Sequence, residues 1–317
     1  MNSHLGLGEV FQVKHLMAVT DMEKYYADVA IVLEIIIGTM VCCVTSLVLI
    51  GYFKCHGWKK PSGLTVINLL VADLINGIIA PLQVASIHCL LHDISTPNLD
   101  RAVFFLQALF LWTAPLIITL LSISRLIAIL NPLAYSSIVT LNTTGILLGL
   151  AWMTGLLDCF LKSYWHAYSQ YKYHVPDVLL HFIINVVILG LALYTLMVLK
   201  TPRGQTQCAA RVKATKTVIM VSMAFFLTYG YYIYVYMVWM IPGVAENTEN
   251  PWLIFTAIGK WSLSLAHLFI LMNSLFNGVI FGLQPNIVHA IENIWVPDYY
   301  RRTLQQEANP TLASAIS

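Results

Sequence analysis

The chain has 317 residues, 58% of them hydrophobic and 10% charged, with a formal net charge of +2. Usage this apolar excludes an ordinary soluble domain and points to an integral membrane protein. The net charge is uninformative by itself, whereas its placement along the chain is not.

A spanning helix takes about 20 mainly apolar residues. That length finds seven spans, at Val29 to Phe53, Gly63 to Leu90, Ala102 to Leu130, Gly145 to Leu161, Val178 to Leu199, Thr217 to Ile241 and Trp252 to Gly282. The expected fold is all-α, a seven-transmembrane helix bundle over residues 29–282 with its termini on opposite sides of the bilayer. Residues 1–28 mix charges along their length and lack the layout of a cleavable signal peptide, so the first span is expected to serve as the targeting signal.

The loop after the first span carries Lys54, Lys59 and Lys60. The loop between the fifth and sixth spans carries Lys200, Arg203, Arg211, Lys213 and Lys216. Loops rich in Lys and Arg stay in the cytosol. The opposite side holds Asp21, Glu23, Asp28, Asp93, Asp100, Glu246 and Glu249. Residues 1–28 are therefore expected outside the cell, with the C terminus in the cytosol and the protein in the plasma membrane. The sequon Asn142-Thr143-Thr144 falls on the cytosolic side and is expected to stay unglycosylated.

Within the second span, Asp73 interrupts "NLLVADLINGIIAPL" at a depth where a charge costs about 2.5 to 3.5 kcal/mol, so it needs partners or a proton. The seventh span supplies candidates in "MNSLFNGVIF", where Asn273 and Asn277 are one turn apart and Ser274 adjoins. These groups either hold water or a small cation against Asp73, or simply join helices by hydrogen bonds. At the outer end of the second span, His88 and His92 flank Cys89 with metal-ligand spacing, which leaves a seven-span metal-dependent hydrolase as an alternative. Such an enzyme needs further ligands at the same depth. His166 and His174 lie in another outer loop, and no second helical histidine pair exists, so a non-enzyme with no metal centre is preferred. A transporter would show paired broken helices, and none is evident.

Arg125 ends the third span, where its head can snorkel to the cytosolic interface. Asn131-Pro132 stops the helix soon afterwards. Leu133 and Tyr135 then place apolar and aromatic surface in a cytosolic loop, which calls for a partner. After the seventh span, Gly282-Leu283-Gln284-Pro285 breaks the helix. Residues 283–296 resume it with Ile287, Val288, Ile291, Ile294 and Trp295 on one face, the pattern of an amphipathic helix lying in the interface. Residues 297–317 form a polar cytosolic tail.

In these residues the chain resembles the rhodopsin-like, class A G-protein-coupled receptors from Val29 to Val296. "SISRLIAILNPLAY" is similar to the family's Asp-Arg-Tyr motif with its Pro-Leu-x-Tyr sequel, and "NLLVADL" to its second-helix aspartate motif. Trp152 matches the fourth-helix tryptophan and Tyr194 the fifth-helix tyrosine. "KATKT" with Phe225 and Tyr229 resembles the sixth helix, and "NSLFNGVIF" the seventh-helix Asn-Pro-x-x-Tyr motif. The resemblance implies coupling to a heterotrimeric G protein through Arg125, Leu133, Tyr135, Tyr194, Arg211 and Lys213. It implies an activation switch at Phe225, Tyr229 and Phe281, and a sodium site at Asp73, Asn273, Ser274 and Asn277 as the one expected cofactor.

The departures from that pattern bear on mechanism. Ser124 replaces the acid before the arginine, and Arg211 stands where many members pair a glutamate with it. A lock worth even about 1.4 kcal/mol shifts an inactive to active ratio tenfold, so raised basal signalling is expected. Gly278 and Phe281 replace the seventh-helix proline and tyrosine, and Tyr229 replaces the sixth-helix tryptophan. Tyr231 and Val186 stand where the sixth and fifth helices have prolines, and Pro115 falls within the third span instead. Thr45 replaces the first-helix asparagine and Ala114 removes a hydroxyl beside Asp73, both of which weaken the sodium site. The family's disulfide is absent, since Asp100 stands at its first cysteine. A substitute between Cys89 and Cys159 is disfavoured.

By the same resemblance the ligand binds in the outer half of the bundle, lined by Gln83, Gln107, Leu111, Phe182, Tyr232, Tyr236, Leu263 and His267. Gln107 offers no counter-ion to a monoamine, and Leu271 cannot form a Schiff base with retinal. The expected ligand is a neutral small molecule, a lipid or a peptide, the protein being chemosensory or peptide-responsive. The expected partners are that ligand, a G protein and the bilayer, with no nucleic acid. A non-coupling or decoy receptor is the other alternative.

Overall fold

The computed structural model describes residues 21–91, 97–166, 174–201, 209–239 and 253–295. The side chains of Arg211, Tyr236, Leu263, His88, Cys89, His92, His166 and His174 lie outside what is described, as do residues 297–317. Seven long helices follow one another: α1 (Asp21–Lys54), α2 (Pro61–Leu91), α3 (Pro97–Leu130), α4 (Leu141–His166), α5 (His174–Lys200), α6 (Ala209–Trp239) and α7 (Leu253–Gly282). A short α8 (Pro285–Trp295) comes after them. A 3-10 turn at Gly57–Lys59 and a one-turn helix at Tyr135–Ile138 occupy two of the connections. Among the described residues there is no strand, and α1 to α7 are each long and apolar enough to cross a membrane.

Several helices run past the apolar windows that reveal them, for local reasons. α4 begins at Leu141 because Thr140 and Thr143 cap each other: each backbone N–H donates to the other's hydroxyl, at 3.0 and 3.2 Å. That reciprocal arrangement satisfies donors a free helix end would waste. α6 starts at Ala209, well before Thr217, because Arg, Lys and Ala favour helix as strongly as apolar residues do. Hydropathy marks where the bilayer ends; propensity carries the helix beyond it.

α3 lies at the middle of the bundle, packed against α2, α4, α5 and α6, while α1 packs on α2 and α7, and α6 on α7. Its Ile117, Ile118 and Leu121 are fully buried, and one core joins them to Leu69, Leu70, Val221, Phe225 and Phe281. The faces turned away carry Val32 and Ile36 on α1, Leu150, Met153 and Phe160 on α4, and Leu193 and Met197 on α5, all exposed. Apolar side chains facing outward are what lipid contact requires.

Where α1 crosses α2 the backbones come close: a Cβ on Gly38 would lie 2.8 Å from Ala80 Cβ. α7 approaches α1 similarly, a Cβ on Gly278 lying 3.0 Å from Val44 Cγ1. The glycine in place of a proline at 278 thus serves packing. α8 starts with a proline, whose missing N–H costs nothing at a helix start. It docks on α1 through buried Ile287 and Ala290, with Tyr52 donating to Gln284 at 3.2 Å and the Cys55 thiol to the Asn286 carbonyl at 3.1 Å. Val288, expected on the apolar face, is 36% exposed, and Ala290 takes its place in the contact.

Candidate functional site

One end of the bundle gathers Lys54, Lys59, Lys60, Lys200, Lys213 and Lys216 at helix termini and turns. At this basic end Arg125 of α3 is half-buried beside a narrow cleft, too tight for a water molecule, lined by Ser122, Ala192, Thr195, Thr215, Val218 and Ser222. Among the described residues no carboxylate pairs with Arg125, and its Nε is buried without a hydrogen-bond partner. Ser124, the residue in place of an acid, spends its hydroxyl on the Leu121 carbonyl at 2.8 Å. The phenols of Tyr135 and Tyr52 stand within electrostatic reach of the guanidinium. About one turn deeper, the Ser122 and Ser222 hydroxyls meet at 3.0 Å and fasten α3 to α6.

Leu133 is 95% exposed, a large apolar side chain held out from the loop after α3. Lys213 is exposed on the first turns of α6 and Tyr135 is half-buried. The structure does not bring Tyr194 to this group. It lies on the outward face of α5, 46% exposed, and buried Thr195 lines the cleft instead.

Midway through the bundle, the Asn277 amide donates to Asp73 Oδ2 at 3.1 Å, and Ser274 also hydrogen-bonds this carboxylate. The Asn76 amide donates to Ser274 Oγ at 3.1 Å. Asp73, Asn273, Ser274 and Asn277 are all buried; hydrogen bonds bring Ser274 and Asn277 to Asp73, and Asn273 lies one turn from Asn277 on α7. Asn273 Oδ1, Asn277 Oδ1 and Thr45 Oγ1 are buried without partners. A carboxylate beside orphaned amide and hydroxyl oxygens is the donor set a hard cation takes. Asn76, one turn from Asp73 on α2, joins the network unanticipated; its i+3 spacing was the available signal.

Phe225 and Tyr229 stack on α6 with ring centroids 4.0 Å apart, and both are buried in the main core. Phe281 is 1% exposed in that same apolar core, surroundings in which a tyrosine hydroxyl would need a partner. Trp152 donates to Asn68 Oδ1 at 3.2 Å and fastens α4 to α2.

Toward the other end, Gln107 of α3 donates to Gln83 Oε1 of α2, and Gln83 Nε2 bonds His267 Nδ1 of α7. Three of the eight expected pocket residues thus form one chain across three helices. Leu111 packs partly buried against the core and Tyr232 is half-buried. Phe182 lies outward at 44% exposure; α5 turns His181 and Asn185 inward instead, and the His181 ring sits 4.2 Å from that of Trp112. The Cys159 thiol donates to the Phe105 carbonyl at 3.3 Å. Among the described residues no three of His, Cys, Asp and Glu gather as metal ligands do.

No protein-family model matches the chain. Over 204 residues it is 22% identical to chemokine XC receptor 1 from Homo sapiens, a match covering 59% of this chain and 58% of that receptor. The chain therefore spans less than two thirds of the receptor's length. Seven helices long and apolar enough to cross a membrane, together with this likeness to part of a receptor, support a multi-pass membrane protein similar to receptors of that kind.

One buried acid escaped the sequence reading. Glu34 of α1 is 1% exposed, and neither carboxylate oxygen has a hydrogen-bond partner. Its signal was available: it is the lone charge in a span running from Ile31 to the terminal Lys54.

Proposed function

We propose that this protein is a rhodopsin-like G-protein-coupled receptor of the plasma membrane, with its N terminus outside the cell and its basic end facing the cytosol. An extracellular ligand is received at the Gln107, Gln83 and His267 end. Its binding is transmitted through α3, α6 and α7 to a heterotrimeric G protein at the Arg125 cleft. The observation that carries this is Arg125 itself, beside a cleft between α3, α5 and α6 and next to a loop that holds Leu133 in the open. An exposed apolar side chain in the loop that follows a cation with no described carboxylate partner suits a protein partner, Leu133 entering a pocket and Arg125 meeting carbonyl or carboxylate groups. The likeness to a chemokine receptor supports the same reading.

The resting state is weakly held. With Ser124 bonded to its own helix and, among the described residues, no carboxylate on Arg125, no described ion pair draws α3 to α6 at this end, where the Ser122 to Ser222 hydroxyl contact joins them. A neutral hydroxyl pair contributes about 0.5 to 1.5 kcal/mol. A ligand-independent G-protein dissociation screen tests the proposal, comparing wild type with Arg125→Ala at matched surface expression. Wild type is expected to signal above an empty-vector control with at least one G-protein class, and the variant to fall toward it. Equal signals from the two chains reject the coupling reading.

A further inference from the structure

We infer that Glu34 is the anionic wall of the ligand pocket, and that the ligand carries a positive group, a protonated amine or a guanidinium, which pairs with it. This rests on the receptor reading above and narrows its ligand.

Two helix crossings fix where Glu34 sits. On α2, a Cβ at Gly77 would meet Val41, and one at Gly38 would meet Ala80. One further turn of this antiparallel register brings Glu34 level with Gln83 and Val84, both buried. On α7, Gly282 meets Val48 and Gly278 meets Val44 and Thr45. The same parallel register, followed ten residues up α1, brings Glu34 level with His267 and Leu268. Both crossings put Glu34 at the level of the hydrogen-bonded pair that joins α2 to α7.

That pair does not supply a counter-charge. Gln83 accepts from Gln107 through Oε1, so it faces His267 with its amide N–H and donates to Nδ1. A histidine accepting at Nδ1 holds its proton at Nε2 and is neutral. Glu34 is thus a buried acid level with amides, an uncharged ring and aliphatic groups on α2 and α7. Both its oxygens lack partners. A buried carboxylate left in that condition is costly, and an arriving cation relieves the cost. An amine or guanidinium brings several N–H donors to two vacant acceptors. A neutral ligand of the same shape leaves at least one of them unmet. Discrimination in such a site comes from the group left unpaired.

The test uses the full-length chain in lipid nanodiscs and follows thermal unfolding through the buried Cys159 thiol. The probes are tryptamine, n-octylamine and n-octylguanidine, set against tryptophol and n-octanol. At least one cation is expected to raise the wild-type midpoint by about 2 °C or more beyond its alcohol. Ammonium and guanidinium arms identify which head group fits. Glu34→Gln is expected to abolish the preference, and Glu34→Asp to retain part of it. Equal shifts from cation and alcohol in wild type overturn the inference, as does a preference that persists in Glu34→Gln. Should the Gln variant not fold, the wild-type pairs and the Asp variant decide alone. No G protein enters the assay, so its failure leaves the Arg125 result standing, and the converse holds.

Discussion

At Gly38 there is no room for a methyl group. A Cβ there lies 2.8 Å from Ala80 Cβ, and the neighbour is itself a single carbon fixed to backbone, so only a shift of the helices can relieve the clash. Gly38→Ala is expected to cost about 1 to 3 kcal/mol, the usual penalty for overpacking. Gly38→Ala with Ala80→Gly restores the space and is expected to regain most of the loss. Thermal midpoints of the four chains of this cycle check it; a double variant no better than Gly38→Ala removes the explanation. Single residues were also where sequence reading failed. Glu34 went unnoticed although its burial is nearly complete, because one acid near the outer end of a span resembles the acidic residues beyond it. Its depth becomes visible only through Gly38, which fixes the register of α1 on α2.

Among whole elements, α5 shows why some site residues were misplaced. Phe182 and Tyr194 were expected inside by their match to a family pattern, yet both face outward. The helix is apolar nearly all round, so hydrophobic periodicity does not choose a face. The face is chosen by its polar residues: His181, Asn185 and Thr195 are buried together with Ile188 and Ala192, a spacing of four, three, four and three. In lipid the inward stripe of a helix is read from what cannot face hydrocarbon. α8 is the opposite case, a short helix whose amphipathic pattern was legible, though its partner was not. Its apolar face meets α1 where a Cβ on Gly51 would lie 2.9 Å from Ile287 Cγ2. Ile287→Asp is expected to remove burial worth about 1.5 to 3 kcal/mol and set a charge against α1. Hydrogen exchange over residues 285–295 should accelerate by about tenfold or more while the rest of α1 keeps its protection. Unchanged exchange in that stretch would show that α8 is held by other contacts.

On the scale of the whole molecule, the seven-helix architecture was legible because the bilayer imposes it, each crossing needing one long apolar helix. The polar core was legible too, since Asp73 among apolar residues demands partners and α7 offers amides at one-turn spacing. What composition could not show is how the ends communicate. Asp73 and Asn277 join α2 to α7 at mid-bundle, Gln83 and His267 join the same helices toward one end, and Ser122 and Ser222 join α3 to α6 near Arg125. Among the described residues no ion pair joins α3 to α6 at the basic end, and we propose that the resting arrangement is held at the centre. There a sodium ion would share the Asp73 charge with the orphaned oxygens of Asn273, Asn277 and Thr45, drawing α1, α2 and α7 together. A ligand of one state stabilises that state by mass action and depletes the other. Sodium chloride at about 0.15 M, near physiological ionic strength, is therefore expected to raise the wild-type midpoint above the value in equimolar choline chloride and to lower basal nucleotide exchange. In Asp73→Asn both effects should vanish, because the amide keeps the shape of the carboxylate and removes its charge. Equal midpoints in the two salts for wild type, or a sodium effect surviving in Asp73→Asn, would place control of the resting state elsewhere in the bundle.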